Sequence, residues 1–262
     1  MYLLASPACL GVFAAAAGVV QVALVFPRNE TYAPTRWMPV VFAVQNTELA
    51  PHIYSSIAYH LAGTSGSSAN ISARFRHDLE NANMTNHEPY FAYTFFDNFE
   101  AEVSYKMVWQ VYWASCNEDD SEPRFALNSS NQTIEFTVKN DAQAVDLVAA
   151  TANDKTCPPE LGVAVNATGE TMEVPSRGGY GGGTCAVLAS SAPSPAPDPC
   201  RVKIDSTGAG SMSATWTARM CDGTRNSTSL VHCPKDSAAQ QLAVVGVVCF
   251  TVSLGAFGFL LV

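Results

Sequence analysis

Charge is what this sequence has least of. Only 14 % of its 262 residues are charged, and 23 acids stand against 14 bases, a formal net charge of −9. No run of Lys or Arg interrupts that acidity, which argues against nucleic acid and anionic lipid as partners, since both are held by clustered bases. Helical periodicity is nearly absent, which argues against a helix bundle. No C-x-x-C pair occurs and the nearest cysteines are more than ten residues apart, so a zinc site is disfavoured. The five histidines, His52, His60, His77, His87 and His232, form no H-x-H or H-E-x-x-H pattern. They give no reason to expect a metal or a cofactor. A G-x-S-x-G elbow is also missing, which argues against an esterase of the α/β type. No residue carries a catalytic signature.

What is present is a strong β pattern. In residues 102–116 (EVSYKMVWQVYWASC), Val103, Tyr105, Met107, Trp109, Val111 and Trp113 share one face, with Glu102, Ser104, Lys106, Gln110 and Tyr112 on the other. That is the period of a strand with one buried face, and six large side chains on it require an opposing layer. Shorter runs of the same kind fall at residues 20–26, 38–45, 53–60, 90–96, 133–139 and 145–150, with a single helical turn in 48–54. The fold class read from this is all-β, an antiparallel β-sandwich with an immunoglobulin-like number of strands, over residues 18–152.

The composition shifts after residue 152. Residues 153–233 hold five cysteines, a glycine run at 178–183 and a proline-rich stretch at 192–199, with short β runs at 161–165, 185–188, 201–204 and 211–220. We read a disulfide-stapled, β-rich part, either a small module or an extension of the sandwich. Cys9 and Cys249 fall in apolar terminal segments. The other six, Cys116, Cys157, Cys185, Cys200, Cys221 and Cys233, suit three disulfides in an oxidising compartment, with connectivity open.

Both ends are apolar. Residues 1–17 read as a secretory signal, ending in the small residues Ala15-Ala16-Ala17, although the segment lacks Lys and Arg. This would make Gly18 the mature terminus, which leaves out the N-terminal histidine that copper-dependent polysaccharide oxidases use. Residues 234–262 read as a GPI-attachment signal, because the uncharged run 242–262 has no basic flank; Ser237 is the candidate attachment residue, and a plain tail anchor is the alternative. N-x-S/T triplets begin at Asn29, Asn70, Asn83, Asn128, Asn131, Asn166 and Asn226 and are expected to carry glycans, with Asn128 and Asn131 crowding each other.

Three segments, LVFPRNETYAPT…MPVVFAVQN at 24–46, VDLVAATAN at 145–153 and CAVLASSAPSPAPDPCRV at 185–202, resemble a family of secreted fungal proteins known only as a domain of unknown function. The resemblance runs from about residue 18 to 233. It implies an extracellular, often GPI-anchored fungal protein and brings no catalytic residues with it.

The functional expectation is therefore a glycosylated surface protein, at the plasma membrane or in the cell wall, with a structural, adhesive or glycan-binding role. Tyr112 and Trp37 are its candidate sugar-stacking residues, because aromatic faces pack on pyranose rings. Two alternatives stand beside it. One is a polysaccharide-active enzyme, for which Asp97 and Glu100 are the nearest thing to a carboxylate pair. The other is a secreted effector that binds a partner protein. The acidic run at 117–122 lacks the spacing of a calcium loop and reads as a solvated turn.

Overall fold

The computed structural model describes residues 18–64, 72–97, 99–116, 125–152, 158–174, 183–188 and 197–221. Residues 1–17, 65–71 and 222–262 lie outside this set, and with them the expected signal segment, the glycosylation triplets at Asn70 and Asn226, and Ser237. Cys157, Cys233 and the acidic run at 117–122 also lie outside. No helix among the described residues is long and apolar enough to cross a membrane. The chain divides into two compact units, residues 1–212 and 213–262.

Ten strands among the described residues make one continuous hydrogen-bonded sheet. In chain order they are β1 (Val19–Phe26), β2 (Thr31–Tyr32), β3 (Met38–Gln45), β4 (Ser56–Gly63), β5 (Ser72–Asp78), β6 (Tyr90–Phe96), β7 (Val103–Cys116), β8 (Phe125–Val138), β9 (Gly162–Val174) and β10 (Gly183–Leu188). Two helices, α1 (Leu147–Ala152) and α2 (Ser206–Cys221), and three short 3-10 turns complete the set.

The long strand β7 is the pivot. It pairs antiparallel with β8 along its whole length and with β4 from Tyr105 to Tyr112. Its last residue, Cys116, meets Val187 of β10 in parallel. One arm of the sheet therefore runs β5-β4-β7-β8-β2, and the other runs β9-β1-β3-β6. Strand β9 joins them by changing partner: Gly162 to Asn166 pair with β1, and Ala167 to Val174 pair with β10. Two pairings are parallel, β2 with β8 and β10 with β7; the rest are antiparallel.

The arms face each other as the two layers of a sandwich. Phe42 of β3 packs its ring 5.4 Å from that of Trp109 in β7 and 5.3 Å from Tyr59 in β4, across the interlayer space. Val103, Tyr105, Met107, Trp109 and Val111 are all buried, as the alternation of β7 requires. Strands β1 and β3 are buried on both faces. Their outer side is covered by chain from the C-terminal part. Added to Gly162, a Cβ would lie 2.4 Å from Cβ of Pro197, and the Asp198 N–H donates to Oε1 of Gln21 at 3.4 Å. Helix α1 is tied to this C-terminal chain by buried Thr151, whose hydroxyl donates to the Leu147 carbonyl of its own helix and accepts from the Ile204 N–H, each at 2.9 Å.

Three of the expected short β runs are corrected. Residues 145–150 and 211–220 belong to helices α1 and α2, and 201–204 leaves a 3-10 turn, Pro199–Arg201, as irregular chain. Asp146 Oδ1 accepts the N–H groups of Val148 and Ala149, and Asp205 Oδ1 accepts that of Gly208, so each helix opens on an aspartate cap. In α2 the alternation of Met212, Ala214, Trp216, Ala218 and Met220 with polar residues mimics a strand, but the cap and the alanines favour a helix. Of these residues Met212 is buried. The expected helical turn is present as a 3-10 turn at Ala50–Ile53.

Candidate functional site

The arm β5-β4-β7-β8 has one face in the core and the other open. On β4 the core face carries Ile57, Tyr59 and Leu61, so Ser56, Ala58, His60 and Ala62 line the open face. Three of these four are small, and they leave a furrow along β4. The flanks come from the registers of its neighbours. Arg76 of β5, Ala58, Gln110 of β7 and Asn131 of β8 form one row; Arg74, His60, Val108 and Thr133 form the next. Ala62, Lys106 and Glu135 follow on one side, and Asp78, Ser56, Tyr112 and Ser129 on the other.

Tyr112 is the key aromatic of this face. It is 36 % exposed, and among the described residues only Leu127, at 77 %, joins it as an exposed large hydrophobic. Its hydroxyl donates to Oε1 of Gln110 at 2.6 Å, and the Arg76 guanidinium lies 5.9 Å from its ring centroid. Arg76 reaches that ring diagonally because only Ser56 and Ala58 stand between. The result is an open polar surface with one oriented aromatic ring, one amide and one guanidinium, which are the groups that stack on and hydrogen-bond to sugar rings. At its end Ser56 is 2 % exposed, and its hydroxyl has no hydrogen-bond partner.

The other candidates lie elsewhere. Trp37 is half-buried just before β3, on the opposite arm, so it does not meet Tyr112. Trp109 is fully buried, and Trp113 is half-buried on the core face. Asp97 follows β6 and Glu100 lies in the turn before β7, where its backbone N–H donates to the Tyr105 hydroxyl at 2.8 Å. Among the described residues no group of three or more His, Cys, Asp or Glu side chains is placed to hold a metal ion. His77 is a packing residue on the core side of β5, with its ring stacked 5.8 Å from Tyr59. Burial pushes the Tyr59 and Tyr32 phenols well above the usual tyrosine range.

The triplet asparagines differ in what they offer. Asn29, Asn83 and Asn131 are exposed. Asn128 is half-buried, and its amide nitrogen donates to the Ser115 hydroxyl and the Ala126 carbonyl at 3.3 and 3.1 Å. Asn166 is half-buried within β9. Of the six cysteines, Cys116 and Cys185 form a disulfide with a Cα separation of 5.8 Å, in a small apolar cluster with Val174 and Val187. Cys200 takes part in a disulfide, and so does Cys221.

Arg74, Arg76 and His60 were not legible as site residues. Strand β5 (SARFRHD) reads as polar chain, yet Phe75 and His77 do alternate with Arg74, Arg76 and Asp78. That weak period-2 signal was the one available pointer to the face.

The fold and this surface define an all-β sandwich with an open, polar sheet face. The chain belongs to the family described as a domain of unknown function (DUF7136), whose profile matches residues 15–233. Comparison with curated proteins and with solved structures gave no match in either.

Proposed function

We propose that this protein is a non-catalytic glycoprotein of the fungal cell surface that binds wall polysaccharide through the open face of β5-β4-β7-β8. The observation that carries the reading is Tyr112, an exposed ring on the open sheet face with Gln110 hydrogen-bonded to its hydroxyl and the Arg76 guanidinium 5.9 Å from its centroid. Secretion, GPI anchoring through residues 234–262 and glycans on Asn29 and Asn83 belong to the same proposal, while Asn131, in one row with Gln110, Ala58 and Arg76, stays unglycosylated in it. Its support is the apolar character of both ends and the exposure of Asn29 and Asn83.

The test is retention on insoluble polysaccharides. The protein, produced from the full sequence with its glycans trimmed, is incubated with β-glucan, chitin, mannan and a uronic-acid polymer. Protein left in solution and sugar released are both measured. We expect retention without sugar release, and a Tyr112→Ala protein retained about tenfold less, as the loss of one aromatic contact implies. Release of soluble sugar would replace this reading with an enzyme and direct attention to Asp97 and Glu100. No retention on any polymer would leave a protein partner or a structural role.

A further inference from the structure

The bases of this acidic chain are not scattered where the furrow runs. Arg74 and Arg76 are successive outward residues of β5, His60 stands opposite Arg74 on β4, and Lys106 lies opposite Ala62 on β7. Arg74, Arg76 and Lys106 are exposed. The acids around them are engaged or distant from the two arginines. Asp78 accepts the Glu80 N–H at 3.1 Å and the Asn81 amide at 2.8 Å within its own turn, and Glu135 faces Lys106 from β8. No carboxylate of a described residue pairs with Arg74 or Arg76. A net charge of −9 is thus a whole-chain quantity, whereas this face sets Arg74, Arg76 and Lys106 against Asp78 and Glu135.

We propose that the furrow along β4 binds a polysaccharide bearing carboxylates, a uronic-acid polymer, with Arg74 and Arg76 taking the carboxylates and Tyr112 taking a sugar ring. This rests on the glycan-binding reading and narrows it to an anionic glycan. Guanidinium groups match planar carboxylates in two-pronged hydrogen bonds, and an arginine already placed against an aromatic ring loses less freedom on binding. Charge density decides between polyanions. Double-stranded nucleic acid presents a charge about every 1.7 Å and is held by many clustered bases, more than Arg74, Arg76 and Lys106 supply, whereas a uronan carries at most one charge per sugar. The small side chains of Ala58 and Ala62 give the sugars room to lie between the two flanks.

The test compares one polymer in two forms, immobilised polygalacturonate and its methyl ester, which keeps the sugar rings and removes the charge, with neutral β-glucan as a third matrix. The probe is the full-length protein, together with an Arg74→Gln/Arg76→Gln variant and an Arg36→Gln control from the opposite arm. We expect retention on the charged form that weakens as salt is raised, and about tenfold less on the ester. The double variant should lose about tenfold on the charged form, while the Arg36 control matches the parent. Circular dichroism and the melting temperature establish that the variants are folded. Equal retention on both forms, or an unaffected double variant, would overturn the anionic specificity and leave glycan binding standing. Absence of retention on all three matrices, neutral glucan included, would overturn both.

Discussion

Trp109 is the largest fully buried side chain among the described residues, and its burial could be read from the alternation of β7. The indole is fully buried and packs on Phe42 from the other layer. Trp109→Ala should cost about 3–5 kcal/mol in a denaturant titration, the usual range for removing a buried Trp. Its Nε1–H has no hydrogen-bond partner, so Trp109→Phe should cost clearly less than Trp109→Ala. Equal losses for the two would show that the N–H matters after all. Two buried phenols allow a second test. Burial first of all raises Tyr59, and likewise Tyr32, above the ordinary value of about 10. Above pH ~10 the unfolded chain releases these protons while the folded chain keeps them, so stability is complete below that pH and falls as pH rises past it. Phenolate absorbance from these two tyrosines should therefore appear together with the loss of circular dichroism, and phenolate preceding unfolding would contradict their burial. Arg76, by contrast, owes its role to a ring on another strand, and nothing local in the sequence announces that contact.

At the scale of elements, legibility followed apolar content. Strand β7 was readable because large side chains recur every second residue, β3 as a continuous apolar run buried on both faces, and β6 by its aromatics. The first half of β8 was not, because Asn128, Ser130 and Gln132 occupy its core-side positions near the end of the hairpin. Helix α2 was misread for the opposite reason, an alternation that caps and alanines override. The Cys116–Cys185 link tests the join between β7 and β10. It closes a span of 69 residues, and replacing both cysteines by serine should cost about 2–5 kcal/mol, read as a lowered denaturation midpoint. A change under about 1 kcal/mol would mean that the pairing of β9 with β10 holds this join without the bridge.

For the molecule as a whole, composition gave the class and withheld the surface. Dense β signals identified the fold class, since they report on the core. The make-up of the open face depends on which strands become neighbours as well as on their register, and a strand's own residues do not name its neighbours. β4 brings β5 and β7 to its two sides, and only then do Arg76, Ala58 and Tyr112 share a surface.

The change of partner along β9 also sets an order of events at the ribosome. Strand β1, VVQVALVF, is the first described strand to be made, and one of its edges is satisfied only by residues 162–166. Until those residues emerge, a long apolar strand waits with an open flank, a template for pairing with other chains. A nascent chain halted after β8 should therefore be found in aggregates or on chaperones, and one extended through β9 should stay soluble. Assembly of the first layer is thus timed by sequence that reads as belonging to a separate part.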